Sequence, residues 1–348
     1  MNVFVAWRDL RFAKGRFALM GAVIVLITVL VGLLSGLTAG LGRENTSAVT
    51  GLPADHLAFA APADGREVSF TDSRLDRDAW ERWSRVPGVR KAEPLSIAMT
   101  RGEAGSSAAA LSAFGVRPDS GLAPAPLRDG AVVLSEQAAD ELGLAAGDSF
   151  TLGGRRAVVA SVAGDAMYSH TPVVWVPFTG GRATVVALDT APGADLAAAD
   201  RELGTRTVAR DDALQAIGSF TAENGSLQLM RGFLFAISAL VIGAFFTVWT
   251  IQRSGDVAIL KALGASTGYL LRDALGQAVV LLVLGTGAGT ALAAGVGAAV
   301  GGTVPFVLDV STVLVPMAVM IALGAAGAAL SVRRITSVDP LTALGSAR

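Results

Sequence analysis

Four stretches of this sequence are too long and too apolar to stay in water: residues 17–41, 231–251, 274–301 and 312–332. A helix needs roughly 20 apolar residues to cross the hydrocarbon layer of a bilayer. In lipid only helices and closed barrels satisfy their own backbone groups, so runs of this length read as spanning helices. Composition agrees, since 52% of the 348 residues are hydrophobic and 16% charged, too apolar for an ordinary soluble chain. The first run is longer than the roughly 7–15-residue core of a signal peptide and lacks a small-x-small cleavage site, so it reads as a span.

Lys and Arg set the expected orientation. Arg8, Arg11, Lys14 and Arg16 precede the first run, Arg253, Lys261 and Arg272 follow the second, and Arg333, Arg334 and Arg348 follow the fourth. The loop between the third and fourth carries none. The positive-inside rule then puts both termini in the cytoplasm. The expected organisation is a cytoplasmic amphipathic segment over 1–16, a first span over 17–41 and an extracytoplasmic domain over 42–230. A second span follows at 231–251, a cytoplasmic loop at 252–273 and a third span at 274–301. A short outer loop at 302–311, a fourth span at 312–332 and a cytoplasmic tail at 333–348 complete it. Residues 1–16 alone, with Phe4, Trp7, Leu10 and Arg11, read as an amphipathic segment at the inner membrane surface.

The long external segment reads as folded and α+β. Runs such as AVVL, RAVVASV, PVVWVPF and ATVVAL have strand composition, and Gly153–Gly154 marks a turn. Ser135 is a good N-cap for EQAADELGL, with Gly143 ending that helix. A second helix is expected over 194–203. The fold class is thus a membrane protein with four transmembrane helices and a large extracytoplasmic α+β domain between the first two.

Several functions are disfavoured at this point. A net charge of −1 gives no case for nucleic acid. With no cysteine and two histidines, His56 and His170, thiolate and multi-histidine metal sites drop out, and no nucleophile–base constellation points to an enzyme. A phosphate-binding loop needs Gly-Lys-Ser/Thr, yet Lys14, Lys91 and Lys261 are followed by Gly, Ala and Ala. The glycine cluster at 285–289 lies inside an apolar run. Gly285, Gly289, Gly297 and Gly301 read instead as a helix-packing face.

The charged interruption RSGDVAILKALGAS has internal order. Val257, Leu260 and Leu263 recur at helical spacing, Gly264 suits a C-terminal cap and Ser266 an N-cap. By pattern alone this is a short amphipathic helix, equally readable as one lying on lipid. DVAILKALGAS also resembles the coupling-helix motif of the ABC-transporter permeases that include macrolide exporters, lipoprotein-releasing permeases and cell-division permeases. The order of spans, the DPLTAL stretch at 339–344, PGVRKAEPL and ELGLAAGDSFTLGG are similar as well. Asp256 stands where a Glu is common in that family. The resemblance implies that Asp256, Val257, Ile259, Leu260, Leu263 and Gly264 couple to a cytoplasmic ABC ATPase, present in two copies and holding the ATP and Mg. It gives the chain no cofactor of its own.

AWRDLRFAKGRFALM and DAMYSHTPVVWVP resemble the haem-exporter branch, which implies a homodimer in lipid with haem as the transported ligand. A haem site needs an iron ligand, apolar walls and propionate donors. Glu223 and Met230 are the candidate ligands, Phe220, Leu227 and Phe233 the walls, and Arg231 the propionate partner. Each also has a plain structural reading: a solvated helix-start acid, bilayer packing, an interface anchor. His170 and Tyr168 are chemically able ligands, but in a strand-entering loop a structural hydrogen bond is the expected role. Gly32, Gly36 and Gly40 share a small-x-x-x-small spacing. Resemblance favours the partner protomer as their neighbour, with a span of the same chain as the alternative. The expected function is the permease subunit of an exporter of haem or a similar hydrophobic compound. The alternatives are export of a lipoprotein, lipid or peptide, and a non-transporting transmitter that activates an extracellular enzyme.

Overall fold

The structure, a computed structural model, describes residues 14–63, 65–252, 255, 259–261, 263–301 and 304–336. In chain order the elements begin with α1 (Lys14–Thr50), β1 (His56–Ala60), β2 (Leu75–Asp76), α2 (Arg77–Trp83), β3 (Val89–Ala104) and β4 (Ser107–Val116). Next come β5 (Ala131–Leu134), α3 (Glu136–Leu142), β6 (Ser149–Leu152), β7 (Arg155–Val162), β8 (Met167–Tyr168) and β9 (Thr171–Pro177). The last are β10 (Arg182–Ala183), β11 (Val185–Thr190), α4 (Leu196–Leu203), β12 (Thr205–Ala209), a 3-10 turn (Asp212–Ala216), α5 (Gly218–Gln252), α6 (Thr267–Val300) and α7 (Val310–Thr336). Among the described residues four helices are long and apolar enough to cross a membrane: Ala18–Thr50, Gly218–Gln252, Gly268–Val300 and Val310–Ser331. An α+β domain lies between the first two, as expected.

The chain divides into a domain unit, Leu41–Gly225, and a helical unit formed by the remainder. In the domain unit the strand order is β12-β1-β11-β3-β4-β9-β5-β7-β6, and β6 pairs back onto β3. The far end of β3 supplies that closure, with Gly102 opposite Leu152 and Glu103 opposite Thr151. Six strands from β3 to β6 therefore form a closed ring. Its interior holds Leu111, Leu134, Phe150, Val159 and Val174, with α3 contributing Ala138 and Leu142. The helix forms where Ser135 accepts from the Ala138 N–H and Gly143 turns left-handed at its end.

A second core lies under the other half of the sheet. It joins Phe59, Phe70, Phe114, Tyr168 and Trp175 to Ala48 and Val49 of α1, to Leu52 just after it, and to Ala213, Ala216 and Ile217. This packing explains why α1 continues to Thr50, past residue 41 where the apolar run stops. Asn45, Ala48 and Val49 are 1%, 2% and 0% exposed, so tertiary burial sustains a helix that local apolarity does not announce. The same holds for α5, which starts at Gly218 while the apolar run begins near 231.

The helical unit packs by subtraction. A Cβ on Gly285 would meet Ile24, one on Gly289 would meet Thr28, and one on Gly32 would lie 2.9 Å from the Ala293 Cβ. Phe306 enters the notch left by Gly36 and Gly297, the Pro305 carbonyl sits on Gly40, and the Val307 N–H donates to the Gly36 carbonyl at 3.1 Å. Lipid tails are as apolar as side chains, so helices gain most by close backbone approach, which glycine permits. Gly32, Gly36 and Gly40, expected as a dimer face with a span of the same chain as the alternative, are each approached by residues of their own chain. Elsewhere Gly327 lies against Gly243, and Thr247 Oγ1 pairs with Ser331 Oγ at 2.8 Å between α5 and α7. At the start of α7, Asp309 accepts from the Thr312 N–H and the Ser311 hydroxyl, which holds its carboxyl below the usual carboxylate range.

Candidate functional site

The domain unit brings together polar residues that lie far apart in sequence. The hairpin of β8 and β9 turns at Ser169 and His170, whose φ angles are 51° and 61°. Two positive φ values in a two-residue hairpin loop are the signature of a type I′ turn, which favours Asn-Gly or Gly-Gly. A side chain with a Cβ is disfavoured there by about 1–2 kcal/mol per residue. The turn is held by α1: Ser169 N–H donates to the Asn45 carbonyl at 3.1 Å and His170 N–H to the Glu44 carbonyl at 3.2 Å. Met167 N–H donates to Ser47 Oγ at 2.8 Å, and Arg43 pairs with Asp165.

The His170 ring lies between two carboxylates. Its Nδ1 is 3.3 Å from Glu44 Oε2, and its Nε2 is 2.9 Å from both oxygens of Glu223 on α5. Asn45 Nδ2 is 3.1 Å from Glu223 Oε2 and 2.8 Å from His170 Nε2, while Asn45 Oδ1 accepts from Ser219 Oγ at 2.6 Å. Ser169 Oγ and Ser219 Oγ are 2.8 Å apart. The side chains of Glu44, His170 and Glu223 are 29%, 30% and 42% exposed, so water reaches the cluster. Because the imidazole uses its two nitrogens in opposite directions, the carboxylates do not converge on a common point. Among the described residues no group of three or more His, Cys, Asp or Glu is arranged to hold a metal ion.

Tyr168 is 8% exposed, edge-on to Phe70 and Phe114. Burial pushes its phenol above the ordinary range, away from phenolate ligation. Phe220 packs on the domain core. On α5, Met230 and Phe233 are 51% and 61% exposed, while Leu227 and Arg231 are half-buried. Glu223 lies in the domain unit and Met230 in the helical unit. Asp256 and Val257 lie outside the described residues. Ile259, Leu260 and Leu263 are exposed, and Gly264 turns at φ 94° with its N–H donating to the Lys261 carbonyl. Sequence reading singled out Glu223 and His170 separately and missed Glu44, Asn45 and Ser219. The polar run RENTS directly after an apolar span was the available signal.

Four membrane-length helices with a large α+β domain between the first two are the frame on which two family matches fall. Residues 18–206, more than half of the chain, match the MacB-like periplasmic core domain, and residues 229–340 match the FtsX-like permease C-terminal family. The chain belongs to this family of ABC-transporter permeases. It is accordingly a bacterial plasma-membrane protein that works with a cytoplasmic ATPase. A protein of Staphylococcus haemolyticus, described by name as a hemin transport system permease, HrtB, is 26% identical over 98% of this chain and 99% of its own. An uncharacterised ABC transporter permease of Mycobacterium bovis is 26% identical over 99% of both. The periplasmic region of MacB from Actinobacillus actinomycetemcomitans aligns over 49% of this chain and 95% of its own, at 13% identity and a TM-score of 0.37.

Proposed function

We propose that this permease exports haem or a similar hydrophobic, amphipathic compound, driven by ATP hydrolysis on two copies of a separate subunit. The observation that carries the reading is the end-to-end similarity to the staphylococcal hemin permease, which spans both family segments. In this reading both termini face the cytoplasm and the domain unit faces outward, following the Lys and Arg distribution. The segment from Asp256 to Gly264 docks on the ATPase through Leu260 and Leu263, whose exposure leaves an apolar stripe to cover. Two copies of the chain form the working unit, and movement at the ATPase reaches the domain unit along α1 and α5.

Glu223 and Met230 are the proposed ligand contacts. A thioether sulfur and a carboxylate are both competent toward haem iron. The exposure of Met230 and Phe233 supplies an apolar face on α5 that a ligand arriving from lipid meets directly. The test is a haemin titration of the purified wild-type chain and of Glu223→Ala with Met230→Ala, read by absorbance, beside growth of cells on haemin. Loss of two ligands is expected to weaken haemin binding by about tenfold or more and to remove haemin tolerance. Unchanged spectra and tolerance in the double variant would overturn the site, and a wild-type chain that leaves the haemin spectrum unaltered would overturn the cargo.

A further inference from the structure

The segments of α1 and α5 that belong to the domain unit are held in two chemically different ways. Val49 at the end of α1, Leu52 just after it and Ile217 just before α5 are 0%, 1% and 2% exposed within one apolar cluster. Such a close-packed contact stays dry and keeps its place. One to two helical turns away, the contact is polar. There the β8–β9 tip is tied to α1 by two backbone bonds, from Ser169 N–H and His170 N–H. The four contacts that reach α5 from this tip and from Asn45 are side chain to side chain: His170 to Glu223, Asn45 to Glu223, Asn45 to Ser219 and Ser169 to Ser219. All four break without loss of any backbone bond.

The cluster around His170 can share its hydrogens in more than one way. His170 Nε2 has one bond to make but faces both the Asn45 amide and the Glu223 carboxylate. With a hydrogen on Nε2 alone, Glu223 is served and Nδ1 turns a lone pair toward Glu44, which as a carboxylate only accepts. With hydrogens on both nitrogens, both carboxylates are served and the Asn45 amide keeps Glu223; with a hydrogen on Nδ1 alone, Glu44 is served and the two Asn45 N–H bonds go to His170 Nε2 and Glu223 Oε2. A contact with several hydrogen-bonding patterns of this kind, partly open to water, on a turn whose residues disfavour its backbone, is suited to exchange between made and unmade.

We propose that Asn45, Ser169, His170, Ser219 and Glu223 form a latch that releases the start of α5 from α1 in each transport cycle, the two helices swinging about the apolar pivot of Val49, Leu52 and Ile217. His170 is a positioning residue: it holds Glu223 against α1 in the latched state and frees that carboxylate in the open one. The inference rests on the chain being an ATP-driven permease, and it holds for any cargo.

The chain has no cysteine, so Ser169→Cys with Ser219→Cys reports on the latch alone. The full-length variant is oxidised in native-host membranes, with its ATPase partner present, without nucleotide and then with ATP and vanadate. A disulfide is expected to form readily in one of these conditions and several-fold less in the other. Adding His170→Ala is expected to lower the higher yield toward the lower one and leave the lower one unchanged, whereas loss of a residue that only supports the fold would lower both alike. Equal yields in the two conditions, including none in either, overturn the latch. An unchanged yield with His170→Ala overturns the part given to His170. No haemin enters this measurement, so its failure is separate from failure of the haem reading.

Discussion

The domain unit contains two hairpins that turn through the same backbone with opposite choices of residue. Between β6 and β7 the turn is Gly153–Gly154, at φ 56° and 78°; between β8 and β9 it is Ser169–His170, at φ 51° and 61°. Glycine has no Cβ to clash in this region, so the first reversal follows from its own sequence. The second goes against its own residues and is held from outside, by the carbonyls of Glu44 and Asn45. A turn that its residues explain is architecture. A turn that they do not explain draws attention to what its side chains reach, here Glu44, Glu223 and Ser219.

Exchanging the two turns tests that contrast most severely. Gly153→Ser with Gly154→His places two side chains in the left-handed region, where one outside carbonyl, that of Arg101 accepting from the 153 N–H at 2.9 Å, holds the turn. The expected loss is about 2–4 kcal/mol, about 1–2 at each position. A Cβ at 153 would also sit 3.0 Å from Thr100 Oγ1. A urea titration of the detergent-solubilised full chain, followed by the fluorescence of Trp80, Trp83 and Trp175, reads the change. A midpoint equal to wild type would break the comparison.

A smaller effect separates backbone from side chain within the second turn. Ser169→Gly and Ser169→Ala both remove the hydroxyl that meets Ser219, but only glycine sheds the left-handed penalty. The glycine variant is expected to be the more stable by about 1 kcal/mol in the same titration. Equal midpoints would mean the turn relaxes without help from α1. The smallest change is expected for His170→Gly. Relief of the backbone, about 1–2 kcal/mol, offsets loss of the bonds to Glu44 and Glu223 at about 0.5–1.5 kcal/mol each. Stability should stay within about 1 kcal/mol of wild type; a larger drop would raise the worth of the latch bonds and sharpen their separation from the turn itself.

These turns also show what was legible in the sequence. Gly153–Gly154 announces its turn because the cause is local, and so do the Ser135 cap and the strand runs at 131–134 and 172–178. The four spans are equally plain, since their signal is apolar length. What sequence could not display was closure over distance. His170 lies 126 positions from Glu44 and 53 from Glu223, and no periodicity connects them. The extension of α1 through residues 42–50 was hidden for a related reason: its helical state comes from burial against a sheet formed much later in the chain. For Gly32, Gly36 and Gly40 the spacing was readable and the need for a close neighbour followed. Which neighbour came only with the fold.

That neighbour leaves a mark on sequence history. Phe306 occupies a notch made jointly by Gly36 and Gly297, so the three positions form a lock and its key. A mutation at either glycine is blocked while the ring remains, and a smaller residue at 306 relaxes both glycines at once. Across relatives the three should therefore change as a set: chains that keep an aromatic here keep both glycines, and chains that lose it are free to drift to alanine or serine. Neutral drift at two distant points of the chain is thus gated by one benzyl group in a loop, and an otherwise unremarkable phenylalanine becomes the position to read first when ordering the members of this family.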